Sequence, residues 1–132
     1  MLRTMMRAKV HGATVTEVNL HYEGSLALDS RIMERLDILP NEMVQVLNLN
    51  NAARLETYVI PAEPDSGTVS LNGAAARLAA VGDKVLVVFY ASMSDEEARS
   101  HRPKVALVDQ RNRIVGIRQA SALPVSSGFR ER

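Results

Sequence analysis

Leu2-Arg3-Thr4-Met5-Met6-Arg7-Ala8-Lys9-Val10 opens the chain with a period-two pattern. Leu2, Thr4, Met6, Ala8 and Val10 alternate with Arg3, Arg7 and Lys9, which predicts a half-buried strand, because successive side chains on a strand face opposite ways. The same reading extends along the chain. Ala13 to Leu20 reads as a second strand, Met43 to Leu49 as a third, and Arg54 to Ile60 as its partner across an Asn50-Asn51 turn, ended by Pro61. Thr68 to Asn72 is a short strand before the small-residue turn Gly73-Ala74-Ala75-Ala76, and Val85 to Ala91 is apolar throughout, as a buried strand is. Lys104 to Asp109 and Ile114 to Arg118 read as a late hairpin. Helices are few. Asp29 and Ser30 cap a short one containing Ile32, Leu36 and Ile38, stopped near Pro40. Ser94 and Glu97 form a capping box for another, running through Arg102 and closed by Pro103. Many short strands with few helices predict a mainly β fold, a small barrel.

The whole chain sets limits on function. Its 132 residues fit one domain, and a 46% hydrophobic content supplies a core. Sixteen Lys and Arg stand against 15 Asp and Glu, with no Trp and two Phe, so neither a basic face nor a stacking platform for nucleic acid is expected. Cysteine is absent, which excludes disulfides and thiolate metal sites. The longest apolar run, Val85 to Ala91, is too short to span a bilayer, and Arg3, Arg7 and Lys9 interrupt the N-terminal apolar residues. A soluble cytoplasmic protein without membrane association is the expectation. His11, His21 and Glu23 match no metal-ligand spacing, so no metal is expected.

The chemistry centres on His21-Tyr22-Glu23-Gly24-Ser25. Gly24-Ser25 alone reads as a turn. A serine hydroxyl can also attack the carbonyl before it, converting amide to ester, and glycine leaves that attack uncrowded. β-Elimination then leaves dehydroalanine, and loss of ammonia leaves a pyruvoyl group at a new N-terminus. Lys9-Val10-His11, His21 to Ser25, Arg54-Leu55-Glu56-Thr57-Tyr58 and Asn72-Gly73-Ala74-Ala75-Ala76, with Asp95-Glu96-Glu97-Ala98-Arg99 further on, resemble the pyruvoyl-dependent aspartate 1-decarboxylase family in order and spacing. The resemblance covers residues 1 to 118.

It implies a six-stranded double-psi β-barrel over 1–118, cut into 1–24 and 25–132, with a flexible tail over 119–132. It implies decarboxylation of L-aspartate to β-alanine for pantothenate and coenzyme A synthesis. The cofactor would be a pyruvoyl group from Ser25 that forms a Schiff base with the substrate, with no pyridoxal phosphate. Tyr58 would be the proton donor. Gly24, Ser25, Thr57 and Asn72 would serve self-cleavage. Lys9, His11, Tyr22, Arg54, Thr57, Asn72, Gly73, Ala74 and Ala75 would line the substrate site, with Arg54 gripping a carboxylate through its guanidinium fork. A homotetramer with shared sites and an accessory maturation factor belong to the same picture. Each residue also has a plainer reading: Lys9 and Arg54 as solvated strand charges, His11 as a strand-end polar group, Tyr58 as a sheet-face aromatic, Asn72 as part of an Asn-Gly turn. In an ideal strand Thr57 points away from Tyr58, so both serve one site only if the strand bends or a neighbouring subunit contributes. Gly12, Ala52 and Pro64-Asp65 depart from the family pattern. The competing function is a non-enzymatic binding module on a related small barrel, such as a transcription-factor-like dimer, and it would require a basic surface.

Overall fold

The structure, a computed structural model, describes residues 1–119. The expected tail lies outside the described residues except for Gln119, which ends the last strand. In chain order the elements are β1 (Leu2–Thr14), β2 (Glu17–Asn19), β3 (Ser25–Asp29), helix α1 (Ser30–Arg35), β4 (Met43–Asn48) and β5 (Arg54–Ala62). There follow β6 (Val69–Asn72), a 3-10 helix (Gly73–Leu78), β7 (Lys84–Ser94), helix α2 (Asp95–Ser100), β8 (Lys104–Val108) and β9 (Ile114–Gln119).

The nine strands pair in the order β2-β6-β3-β5-β4-β7-β1-β8-β9. Just past β1, the Thr16 amide donates to the Val69 carbonyl at 2.8 Å, and the Val69 amide donates to Thr16 Oγ1 at 2.9 Å. Those bonds bring β1 round to β6. The six strands β1, β7, β4, β5, β3 and β6 thus close a ring, as a barrel must to remove its edges. The mainly β class is as expected, but the total is nine strands rather than six. The three-residue β2 and the β8–β9 hairpin are added outside the ring.

Period-two alternation builds the core. Val85, Val87 and Phe89 of β7 face Ala8 and Val10 of β1, Val44 and Val46 of β4, Leu26 and Leu28 of β3, Val59 of β5, and Val69 and Leu71 of β6. Leu2 and Thr4 do not join it, although the opening pattern assigns them to the buried face. They pair with Ser94 and Ser92 at the far end of β7, where the two strands run past the barrel as an exposed ribbon. The expected second strand also divides: Ala13 and Thr14 finish β1 after a register shift at Gly12, and only Glu17 to Asn19 form β2. Gly12 has φ +74°, a conformation that suits glycine at such a bulge. Ala52 adopts φ 66° in the turn before β5, a left-handed conformation that favours glycine. β5 continues through Pro61 to Ala62; β4 pairs no further than Tyr58, leaving one edge free where a strand proline is tolerated.

The two caps are as read. Asp29 accepts from the Arg31 amide to start α1, and Ser94 with Glu97 forms a complete capping box on α2. That helix ends at Ser100, earlier than expected. Asp29 does more than cap, since its buried carboxylate also accepts from the amides of Asp65 and Gly67, each at 2.9 Å. It therefore pins the loop between β5 and β6. Among the described residues no helix is long and apolar enough to cross a membrane. Replacing Asp29 with Ala strands three backbone donors. We expect Asp29→Ala to cost about 3 kcal/mol in urea unfolding, while Asp29→Asn, which keeps one acceptor oxygen, costs less.

Candidate active site

β3 begins at Ser25, and the turn before it is held by Asn19, whose side-chain oxygen accepts from the His21 amide at 3.3 Å. In the antiparallel pairing of β3 with β6, Ser25 faces Asn72 and Ala27 faces Ser70. Asn72 Nδ2 donates to Ser25 Oγ at 3.0 Å. Ser70 Oγ in turn donates to Asn72 Oδ1 at 3.0 Å. Ser25 Oγ has a longer 3.4 Å contact to the Glu23 carbonyl. Ser25, Ser70 and Asn72 are all buried, an unusual concentration of polar side chains beside the core residues Val69 and Leu71.

Glycine makes the close approach possible here. A Cβ on Gly73, which has φ +66°, would lie 2.6 Å from Gly24 Cα. Only glycine at 73 lets the start of the 3-10 helix lie against the backbone of Gly24. The bond between Gly24 and Ser25 thus lies against the junction of β6 and that helix. Against it lies a cavity of about 210 Å³ lined by Gly24, Leu55, Thr57, Asn72, Ala74 and Ala75. A second cavity, about 300 Å³, shares Asn72 and is lined also by Glu17, Asn19, Tyr22 and Ser70.

The remaining expected residues divide by strand. Thr57 pairs with buried Val44 and Tyr58 with Met43 in an unbroken register, so β5 does not bend between them. Thr57 lines the cavity against Gly24 while Tyr58 lies on the opposite, outward face. The parallel register that sets Leu26 beside Val59 brings Tyr58 level with Ser25. Arg54 shares the outward face with Tyr58, is exposed, and makes no ion pair among the described residues. Tyr22 borders the larger cavity. Lys9 and His11 lie on β1, which meets β6 only past its end, at Thr16, and neither residue lines the two cavities beside Gly24 and Asn72. One chain therefore gathers Tyr22, Gly24, Ser25, Thr57, Asn72, Gly73, Ala74 and Ala75, and holds Lys9 and His11 elsewhere.

Lys9 and His11 have a companion that the sequence reading missed. Val105 of β8 pairs with Lys9 on one side and Arg118 of β9 on the other, so two cations flank one strand. Partial burial of the ring, then the positive charges of Lys9 and Arg118, hold the His11 pKa below the usual 6.5. Ser70 was missed as well. Its signal was available: residues 70 and 72 share a face in any strand.

The aspartate decarboxylase family model matches residues 1–115. This chain belongs to the aspartate decarboxylase family. A protein of Listeria monocytogenes named aspartate 1-decarboxylase is 56% identical over 114 residues, 86% of this chain and 90% of that one. The aspartate 1-decarboxylase of Carboxydothermus hydrogenoformans is 55% identical over 119 residues, 90% of this chain and 94% of its own. That of Thermoanaerobacter pseudethanolicus is 54% identical over 117 residues, 89% of this chain and all of its own. Among solved structures, a computationally designed protein, msDPBB_sym2, is similar at a TM-score of 0.42 and 18% identity, over 64% of this chain and 96% of that one. Family membership rests on the sequence matches.

A lowered His11 pKa has a definite sign. The unfolded ring takes its proton first, so this group's contribution to stability is lost as pH falls from 6.5 through the folded value. In an NMR titration we expect His11 to titrate below 6.5, and Lys9→Gln to move its midpoint upward. An unmoved midpoint in that variant would remove Lys9 as a neighbour of consequence.

Proposed function

We propose that this chain is a pyruvoyl-dependent aspartate 1-decarboxylase, made as a proenzyme that cuts itself between Gly24 and Ser25. The observation that carries the reading is the buried Ser25 hydroxyl, held by the Asn72 amide beside a glycine backbone that Gly73 alone can approach. The family and the names of the relatives support it.

The proposed maturation runs through these residues. Ser25 Oγ adds to the Gly24 carbonyl carbon, its proton passes to the departing nitrogen, and the amide becomes an ester. Thr57, on the cavity wall against Gly24, supplies a hydroxyl donor to the oxyanion formed on the way. The ester oxygen is the former Ser25 Oγ. When the Ser25 Cα proton is lost and the Cβ–Oγ bond breaks, that oxygen leaves as part of the Gly24 carboxylate. The Asn72 Nδ2–H that already points at Oγ favours the charge arriving there. The dehydroalanine left on the second chain tautomerises, takes up one water and releases one ammonia, which leaves a pyruvoyl terminus on 25–132.

The site fits such a group: its precursor oxygen has a buried donor, and the adjoining cavity has room for a small amino acid. When formed, the pyruvoyl ketone supplies an electron sink for a substrate amine that loses its α-carboxylate, which turns L-aspartate into β-alanine and carbon dioxide. β-Alanine is the building block that pantothenate and coenzyme A synthesis require. The chain's own residues bind and deliver the proton. Arg54 offers a bidentate fork to a substrate carboxylate. Tyr58 Oη, level with Ser25, holds the proton returned to the α-carbon. Tyr22, Asn72, Gly73, Ala74 and Ala75 complete the lining.

Lys9 and His11 reach such a site when a second copy brings its β1 to it. The proposed assembly is a homotetramer with shared sites in the cytoplasm; the absence of Lys9 and His11 from the cavity linings and the opposed faces of Thr57 and Tyr58 support the sharing.

Intact mass of the denatured protein is the test. We expect fragments 1–24 and 25–132, the larger lighter by one ammonia than its serine-terminated form, and an uncut, inactive Ser25→Ala. Decarboxylation by Ser25→Ala would refute the pyruvoyl reading. Arg54→Lys should self-cleave normally yet raise KM for aspartate about tenfold, since a point charge replaces a fork. Unchanged KM and kcat would take Arg54 out of the site.

A further inference from the structure

The Asn72 amide can act on Ser25 only if it is held with the nitrogen end toward Oγ. We propose that Ser70 is the positioning residue that holds it there and thereby sets the rate of self-cleavage. This inference rests on the self-cleavage reading above.

The geometry leaves Ser70 one occupation. Its cross-strand partner on β3 is Ala27, which has no polar side-chain atom. On its other side it pairs with Glu17 of β2, and no hydrogen bond joins those two side chains among the described residues. The Ser70 hydroxyl instead runs along its own strand to Asn72 Oδ1, its only hydrogen-bond partner among the described side chains. The bonds form a line: Ser70 Oγ–H to Asn72 Oδ1, then Asn72 Nδ2–H to Ser25 Oγ, each at 3.0 Å. The Ser25 proton is directed to the Glu23 carbonyl, so Oγ is free to accept from Asn72.

Both ends of the amide matter because the site is buried. Without Ser70, Oδ1 has no donor, and a buried carbonyl without one is costly. The amide then turns about χ2 to find a partner, and Nδ2 leaves Oγ. Turned over, it would present Oδ1 to Ser25 and oppose the negative charge that develops on that oxygen during elimination. Asparagine is disfavoured in strands, so backbone preference does not account for Asn72 here. Two paired polar side chains that alternate with the core residues Val69 and Leu71 fit a site built to keep one donor aimed.

The test is the time course of self-cleavage of the full chain, followed by mass spectrometry. Ser70→Ala should slow it about tenfold, the scale of one buried hydrogen bond. Ser70→Thr keeps the hydroxyl, and its extra methyl has room in the 300 Å³ cavity that Ser70 lines, so cleavage should return to within twofold of the parent. In an Asn72→Ala background, Ser70→Ala should add nothing, because the relay is already broken. A Ser70→Ala rate equal to the parent, or the same tenfold loss on top of Asn72→Ala, overturns the proposal. Should Ser70→Ala fail to fold, Ser70→Cys, a weaker donor of similar size, takes its place in the comparison.

A second readout does not depend on cutting. Hydrogen exchange of the Asn72 side-chain amide, read by NMR in uncut protein, should speed up in Ser70→Ala and stay at the parent value in Ser70→Thr. Equal exchange in the parent and Ser70→Ala overturns the relay. If the parent never cuts but the exchange differs as expected, the unaided self-cleavage reading fails while the hold of Ser70 on the Asn72 amide stands.

Discussion

The contact between Asn72 and Ser25 is the constraint on which the site depends. It exists because β3 and β6 pair antiparallel with these two residues opposite each other, at the point where β3 begins. The pairing alone would not suffice. The chain must also turn sharply after Asn72 and lie against Gly24, which Gly73 permits by having no side chain at φ +66°. A methyl there would move either the 3-10 helix or the backbone at Gly24. Strand register and one missing Cβ together place a hydroxyl, a donor and an uncrowded carbonyl in a few ångströms.

The barrel makes that placement rigid. Leu26 and Leu71, the residues after Ser25 and before Asn72, are both buried in the core. A one-residue slip of β3 on β6 would turn the leucines to the outside and the serine and asparagine inward. The hydrophobic core therefore enforces the polar register. Asp29 extends this control to the loop after β5, because the same strand that starts with Ser25 ends with a carboxylate anchored to three amides. Strand β3 is five residues long and has a task at each end.

The charged residues follow a different logic. Lys9, His11 and Arg118 are set by the pairing of β8 with β1 and β9, on the far side of the sheet order from Ser25. Partial burial, then the positive charges of Lys9 and Arg118, lower the His11 pKa, and neither cation has an ion-pair partner among the described residues, which leaves a surface suited to an anion.

Local interactions were legible in the sequence. Alternation located most strands, the Ser94–Glu97 spacing announced its capping box, and Asp29 announced its helix, since each depends on residues a few positions apart. Gly24-Ser25 with its flanking motifs was enough to name a family, and the family is the right one. Strand ends were less legible: Leu2 and Thr4 alternate correctly yet lie outside the core, because burial depends on what packs beside a strand and not on its own pattern. The meeting of Asn72 with Ser25 across β3 and β6, and the placement of Lys9 outside the cavities beside Gly24, belong to the tertiary structure alone. The sequence by itself determined the family and which residues form most of the strands. Only the folded barrel decided which of them meet, because pairing order and register are fixed by core packing between segments far apart in the chain.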